Sequence, residues 1–274
     1  MAAVLQWAGH ENGPAALSPV AADGHLRKLP AAVERALWRA DQLGAASAEI
    51  VSSGFPALDA ELPGGGWPCN SVTEVLQAQA GTMEWRLLGA ALRPIVAAGR
   101  TVILIAPPRH PHLPGLRHVG IDEKHLIWIQ AEAPSERLWC TEQLIKSAAF
   151  GALVSWIPQT RQEQIRRLQV SAQACKGPVF LCRPLAARHE SSAAPLRVVA
   201  SLGENWDLQV HVFKRRGPAH EGVVNLHSVP GGLEAILTPR LEHPSRLQPV
   251  PEVPAHAVDS ATSHAESRRH APVH

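Results

Sequence analysis

The residues whose types and spacing come nearest to known chemistry are Gln77–Glu84, QAQAGTME. They follow Ser71–Leu76 (SVTEVL), a β-branched run that reads as a strand. They precede a stretch from Met83 to about Ala98 that reads as a helix, with Trp85, Leu88, Leu92 and Ile95 on one face and Pro94 bending its last turn. A loop between a strand and a helix is where backbone N–H groups and the helix N-terminus cradle a phosphate. The full pattern is Gly, four residues, then Gly-Lys-Ser/Thr: the lysine neutralises the phosphates and the hydroxyl binds magnesium. Here Gln77 stands at the first glycine position and Thr82, after Gly81, at the second. Met83 replaces the lysine and Glu84 the hydroxyl. A methionine cannot neutralise phosphate, and a carboxylate repels it. The stretch therefore predicts the frame of a phosphate loop without its chemistry, so no catalytic residue, bound metal or cofactor is expected.

The elements that position this loop can be read on either side. Before it, Phe55, Leu58 and Leu62 recur at helical spacing, and Pro63-Gly64-Gly65-Gly66 breaks the run. After it, Thr101–Ala106 (TVILIA) is a continuous apolar strand of the kind found in parallel sheets covered on both faces. Pro107-Pro108-Arg109-His110-Pro111 closes that strand. Leu126–Ile129, Ala152–Ile157 and Val179–Cys182 read as further strands, with helices over Ala133–Phe150 and Gln159–Ala174 between them. Leu196–Leu202 and Trp206–Phe213 read as an antiparallel hairpin with Glu204-Asn205 in its turn. Val223–His227 and Leu233–Leu237 read as two more short strands around Pro230-Gly231-Gly232.

From about Ile50 to Ile127 the chain resembles the RecA family. SSGFPALDAELPGGGWP sits at the RecA entry motif, and the AGRTVILIAPP run and the VGIDEKHLIWIQ segment follow at matching places. It is more similar still to the ImuA family, the degenerate RecA-like proteins of bacterial mutagenesis cassettes, often labelled SulA-like. The shared signatures are GFPALDAELPGGGWP, ILIAPPRHPHLPGL and FKRRG, and the resemblance covers roughly Ile50–Gly217. It implies an α/β fold: a RecA-like core with a mostly parallel sheet flanked by helices, an antiparallel hairpin toward the C-terminus, and disordered tails. The catalytic glutamate of RecA falls at Pro108, and its magnesium-side acid at about Ser155 or Trp156. The Asn-Gln pair after the later strand becomes Cys182-Arg183. Phosphoryl transfer is mostly positioning and charge, so these departures, with Met83 and Glu84, remove an ATPase part by part.

Composition narrows the class. The chain has 274 residues, a formal net charge of +2 and 18% charged residues, against about 25% in a typical soluble domain. Such a low share leaves apolar surface for partners. No apolar run approaches a membrane span, and the first residues lack the basic start and apolar core of a signal peptide. With no C-x-x-C pair, the 4 cysteines read as reduced thiols of a cytoplasmic protein. The expected organisation is a flexible leader over 1–30, an N-terminal amphipathic helix within 31–48, a core over 49–237 and a disordered tail over 238–274. The stripe of Val33, Leu37 and Trp38 either packs on the core or makes a subunit contact, as the matching helix does in RecA filaments.

Two basic groups are candidates for nucleic-acid or partner contact. Arg183 and Arg188 lie in RPLAARHESSAAP, which falls where RecA has its second DNA-binding loop; the alternative is a solvated loop. Lys214, Arg215 and Arg216 end the hairpin, and three adjacent cations are hard to pair locally. Lys214 and Arg216 align with two lysines that cap ATP across the RecA filament interface. His110, His112, His118 and His125 invite a zinc reading, but their spacing is neither H-x-x-x-H nor paired with cysteines, so a solvated, pH-sensitive face is expected.

The resemblance implies a non-catalytic accessory protein of SOS-induced mutagenic translesion synthesis. Its partners would be an ImuB-like protein, an error-prone DnaE-type polymerase, RecA and single-stranded DNA, in the cytoplasm at the nucleoid. The competing readings are a DNA-dependent ATPase or recombinase, a SulA-like division inhibitor acting on FtsZ, and a module that binds DNA alone.

Overall fold

The computed structural model of the chain describes residues 49–217, 220, 222–230 and 233–243. The expected leader, the amphipathic helix of 31–48 and the tail beyond His243 lie outside the described residues. In chain order the strands are β1 (Ile50–Val51), β2 (Trp67–Pro68), β3 (Val72–Gln77), β4 (Val102–Ile105), β5 (Leu126–Ile129), β6 (Ala152–Trp156), β7 (Val179–Pro184), β8 (Leu196–Leu202), β9 (Asp207–Lys214) and β10 (Val224–His227). The helices are α1 (Pro56–Asp59), α2 (Glu84–Ala97), α3 (Leu113–His118), α4 (Pro134–Ser147), α5 (Gln162–Ala172) and α6 (Pro239–Glu242). Short 3-10 turns cover Glu123–His125 and Leu185–His189.

Eight strands form one mixed sheet in the order β10-β9-β8-β3-β7-β6-β4-β5, and β1 pairs with β2 in a small antiparallel sheet. The pairs from β8 through β3, β7, β6 and β4 to β5 are all parallel. Only β8–β9 and β9–β10 are antiparallel. The expected hairpin is therefore present, and it extends an otherwise parallel sheet. β3, the strand that feeds the Gln77–Glu84 loop, lies inside the sheet between β7 and β8.

Helices cover both faces of the parallel part, which is why its strands read as unbroken apolar runs. On one face Leu87, Leu88, Ala91, Leu92 and Ile95 of α2 pack on Val75, Leu104, Val154, Phe180 and Val198. On the other, Ile145 of α4 and Ile165, Leu168 and Ala172 of α5 pack on Val72, Ile103, Leu153, Val179 and Leu181. Each such fully buried aliphatic side chain contributes about 1.5–3 kcal/mol. Phe180, fully buried, meets the Trp67 ring edge to face at 5.4 Å; truncating it to alanine would cost about 3–5 kcal/mol. The sharpest backbone approach is at Gly177, where an added Cβ would lie 2.1 Å from the Gly151 carbonyl oxygen.

The entry motif has a local reason. Asp59 closes a turn by accepting from the Ser53 N–H at 2.7 Å and from the Ser52 hydroxyl. Three expectations are corrected. Residues 233–237 form turns rather than a strand, which leaves β10 as an edge whose one partner among the described residues is β9. The helix of Ala133–Phe150 stops at Ser147, because Ala148 takes the left-handed conformation (φ 49°) that ends it. The expected tail begins with structure: α6 follows Thr238, and the Leu241 carbonyl accepts from the Trp206 indole at 2.9 Å.

Candidate functional site

The strand, loop and helix around Gln77–Glu84 stand as the sequence predicts, and the Glu84 side chain sits within the loop. Glu84, 2% exposed, is the first residue of α2. Its Oε1 accepts from the Gly81 N–H at 2.8 Å, from the Trp156 indole N–H at 2.6 Å and from the Gln77 side-chain amide. Its Oε2 accepts from the Met83 N–H at 3.2 Å. Gly81 makes the turn possible with φ 84°. The N-terminus of a 14-residue helix adds positive potential at the carboxylate. The donors that would hold a phosphate oxygen thus hold Glu84 instead. Hydrogen bonds to a charged group stabilise by about 1.5–3 kcal/mol each, so an incoming phosphate must displace them and meet a negative charge.

The other positions that the resemblance assigns to an ATPase make contacts within the protein. The Met83 side chain is 4% exposed in the core under α2. Thr82 is exposed, and its hydroxyl donates to the Gln79 carbonyl at 2.8 Å. Pro108 presses on the loop, its Cγ 3.1 Å from where a Gly81 Cβ would stand. At the end of β6, Trp156 serves Glu84, and the Ser155 hydroxyl shares a 2.7 Å hydrogen bond with Thr141 of α4. Beside the loop a cavity of about 420 Å³ opens at the carboxyl ends of the parallel strands, between Pro108, Arg109, Trp128, Arg137 and Trp156. This is where open α/β sheets bind ligands. Gln77 also lines it; its amide nitrogen donates to Glu84, and its buried Oε1 has no hydrogen-bond partner among the described residues.

The basic candidates separate. Arg183 is not on a mobile loop. It lies within β7, 3% exposed, with Nη1 on Glu74 at 2.9 Å and Nη2 on Glu190 at 2.7 Å. Glu74, 0% exposed, also accepts from Arg197 Nε. Two guanidinium groups around one carboxylate make this site structural, because a buried charge is tolerated only when paired. The same cluster fastens the segment that was expected to reach for DNA: Arg197 donates to the carbonyls of Ala187 at 2.6 Å and Glu190 at 3.1 Å. Arg188 stays exposed at its edge.

The cations after β9 are also largely engaged. Lys214 Nζ donates to the Ser192 carbonyl at 2.7 Å, and burial together with Arg197 lowers its pKa from the usual lysine value. Arg215 pairs with Glu61 at 2.9 Å. Arg216 is exposed and has no ion pair among the described residues. Lys214 pairs in register with Arg197 of β8, which pairs with Glu74 in the middle of β3. Arg215 and Arg216 continue from there toward the amino ends of the parallel strands, whereas the Glu84 loop sits at their carboxyl ends. The basic group and the phosphate loop of one chain are therefore not brought together.

Among the described residues no group of three or more His, Cys, Asp or Glu side chains is arranged to hold a metal. His112 caps α3 through Nδ1, accepting from the Gly115 N–H at 3.2 Å, and His110 meets the Trp128 ring edge to face at 4.6 Å. All 4 cysteines are free thiols, and burial pushes the Cys69 thiol up to about 11. No helix among the described residues is long and apolar enough to cross a membrane.

Sequence reasoning identified Glu84 as the wrong residue for magnesium but missed its role as the occupant. Trp156 was the available signal: an indole, a donor with no acceptor, at a position where an acid was expected. Comparison with protein-family models finds no match to this chain, and comparison with curated proteins finds none either.

Proposed function

We propose that this chain is a non-catalytic, RecA-like accessory protein of SOS-induced mutagenic translesion DNA synthesis, of the ImuA type. It acts by shape: a docking subunit for an ImuB-like protein, an error-prone DnaE-type polymerase and RecA, working in the cytoplasm at the nucleoid. The observation that carries the reading is the Glu84 carboxylate seated among the donors of Gln77, Gly81, Met83 and Trp156. A nucleotide-driven protein keeps that place open; this one fills it and keeps the fold around it. Further support comes from the position of β3, inside a parallel run of strands that continues into antiparallel β9 and β10. The sequence resemblance over Ile50–Gly217 supplies the named partners, and fold likeness alone would not.

The test is capture by the full chain of purified ImuB-like protein and of RecA at physiological salt, together with a phosphate-release assay on single-stranded DNA. The reading expects capture of at least one partner and no turnover. Failure to bind either partner overturns the docking role, and ATP turnover overturns the non-catalytic one.

A further inference from the structure

The cavity at the carboxyl ends of the parallel strands has a wall that the Glu84 carboxylate does not use. Trp128, 39% exposed, lines it, with the His110 ring edge to face at 4.6 Å. Pro108, Pro158 and Pro184 border the same space. The Trp128 indole N–H has no hydrogen-bond partner among the described residues. Arg109 is exposed and has no ion pair among them, and Arg137 uses only its Nε, on the Ala131 carbonyl at 2.9 Å. The rim carries one carboxylate besides, Glu132, so the two arginines outnumber it. A groove walled by rings and prolines, with an indole donor and uncommitted guanidinium groups, fits an extended polyproline-type segment. Such a segment makes no internal hydrogen bonds and offers all its carbonyls.

The chain supplies a segment of that kind. Beyond His243, outside the described residues, the sequence runs Pro249-Val250-Pro251-Glu252-Val253-Pro254. At three residues per turn, Pro251 and Pro254 share one edge, Val250 and Val253 a second, and Glu252 stands on the third with Pro249. Glu252 is the only Asp, Glu, Lys or Arg between Arg246 and Asp259. Two apolar edges are thus available to the wall, and one carboxylate to the arginines.

The described residues end on the same side of the sheet as the cavity. β8 runs parallel to β3, so the turn after it, which carries Trp206, stands at the carboxyl ends where the cavity opens. α6 is fastened to that turn by the Trp206 indole. Arg86 of α2 donates to the Ser228 carbonyl at 2.8 Å and to the Trp206 carbonyl, which holds the turn beside the loop. From β8 across β3, β7 and β6 to β4 is four strand steps, about 19 Å. The eight residues from His243 to Pro251 span up to about 28 Å.

We propose that the 249–254 segment of this chain docks on the Trp128 wall of the cavity as a polyproline helix, its carbonyls taking the indole N–H and Glu252 pairing with Arg109. Tethering gives the segment an effective concentration of order millimolar, so a contact with a Kd of about 100 μM keeps the cavity covered about ten to one. This is separate from the partner assignments above, because none of the measurements below reads partner capture.

The experiment is amide hydrogen exchange of the full chain at two protein concentrations, with fluorescence anisotropy of a labelled peptide that carries residues 246–257. Wild type should protect residues 106–110 and 128–132 about tenfold more than the double variant Pro251→Ala, Pro254→Ala, equally at both concentrations. The peptide should bind that double variant about tenfold more tightly than wild type, whose own segment competes. Glu252→Arg should lose the protection, and Arg109→Glu added to it should restore it; both positions lie outside the packed core, so neither change threatens folding. Equal protection in wild type and the double variant overturns the proposal, as does equal binding of a scrambled peptide. Failure of the charge exchange to restore protection overturns the Arg109 pairing. Protection that rises with protein concentration overturns docking within one chain and puts the segment on a second copy.

Discussion

Trp156 donates its indole N–H to Glu84 across 2.6 Å, joining the end of β6 to the first turn of α2 over 72 residues of chain. Under the proposed resemblance, both residues stand where nucleotide chemistry would need an acid toward magnesium and a hydroxyl on it. Together they make a neutral donor and a fixed anion that satisfy each other.

If the carboxylate is what the loop is built around, its removal must cost stability and expose the cradle. Glu84→Ala leaves the Gly81 and Met83 N–H groups and the Trp156 indole without their acceptor, and each such buried group costs about 1–3 kcal/mol. Chemical denaturation should show a loss of several kcal/mol. Millimolar pyrophosphate should raise the melting temperature of the variant and leave wild type unmoved.

Glu74 holds Arg183 and Arg197 in the sheet. Glu74→Ala leaves the buried Arg197 guanidinium without a carboxylate and Arg183 with Glu190 alone, a loss of about 3–5 kcal/mol. It should also loosen residues 185–195, whose Ala187 and Glu190 carbonyls hang on Arg197. Amide hydrogen exchange should quicken in that segment before it does in β4 or β6.

Neither element was fully legible in the sequence, and the reason is distance. The strand, loop and helix at Ser71–Ala98 could be read because β-branched runs, loop residues and helical spacing are local signals. The partners of Glu84 and Arg183 are not local: Trp156 and Glu74 lie 72 and 109 positions away. RPLAARHESSAAP has the composition of a mobile loop, and nothing within it announces the buried carboxylate that fastens it. Val223–His227 was legible as a strand, but Leu233–Leu237 was not distinguishable from one, since a short apolar run carries no record of whether it pairs with a neighbour or closes a turn. The exposed face of β9 was legible only as alternation.

Thiol accessibility separates the cysteines. Cys69, Cys175 and Cys182 are buried and Cys140 is half-buried, and burial raises all four thiol pKa values. Iodoacetamide at pH 8 should label Cys140 first, with the other three reacting only after denaturant is added.

His211 gives a pH dependence with a definite sign. Its folded pKa is lowered, so the unfolded chain takes up a proton near the ordinary histidine value of about 6.5 that the folded chain resists. Stability from this residue is therefore full above that value and lost as the pH falls below it. His211→Gln should lose less stability than wild type between pH 7.5 and 5.5, about the histidine range, in parallel urea titrations.

The central claim is that the phosphate cradle is closed by Glu84. It is tested most directly by isothermal titration of the purified full chain with ATP and magnesium, alongside release and identification of any nucleotide carried through purification. The account predicts no heat of binding and no co-purified nucleotide. A stoichiometric nucleotide with magnesium, held against Gln77–Glu84, would contradict it.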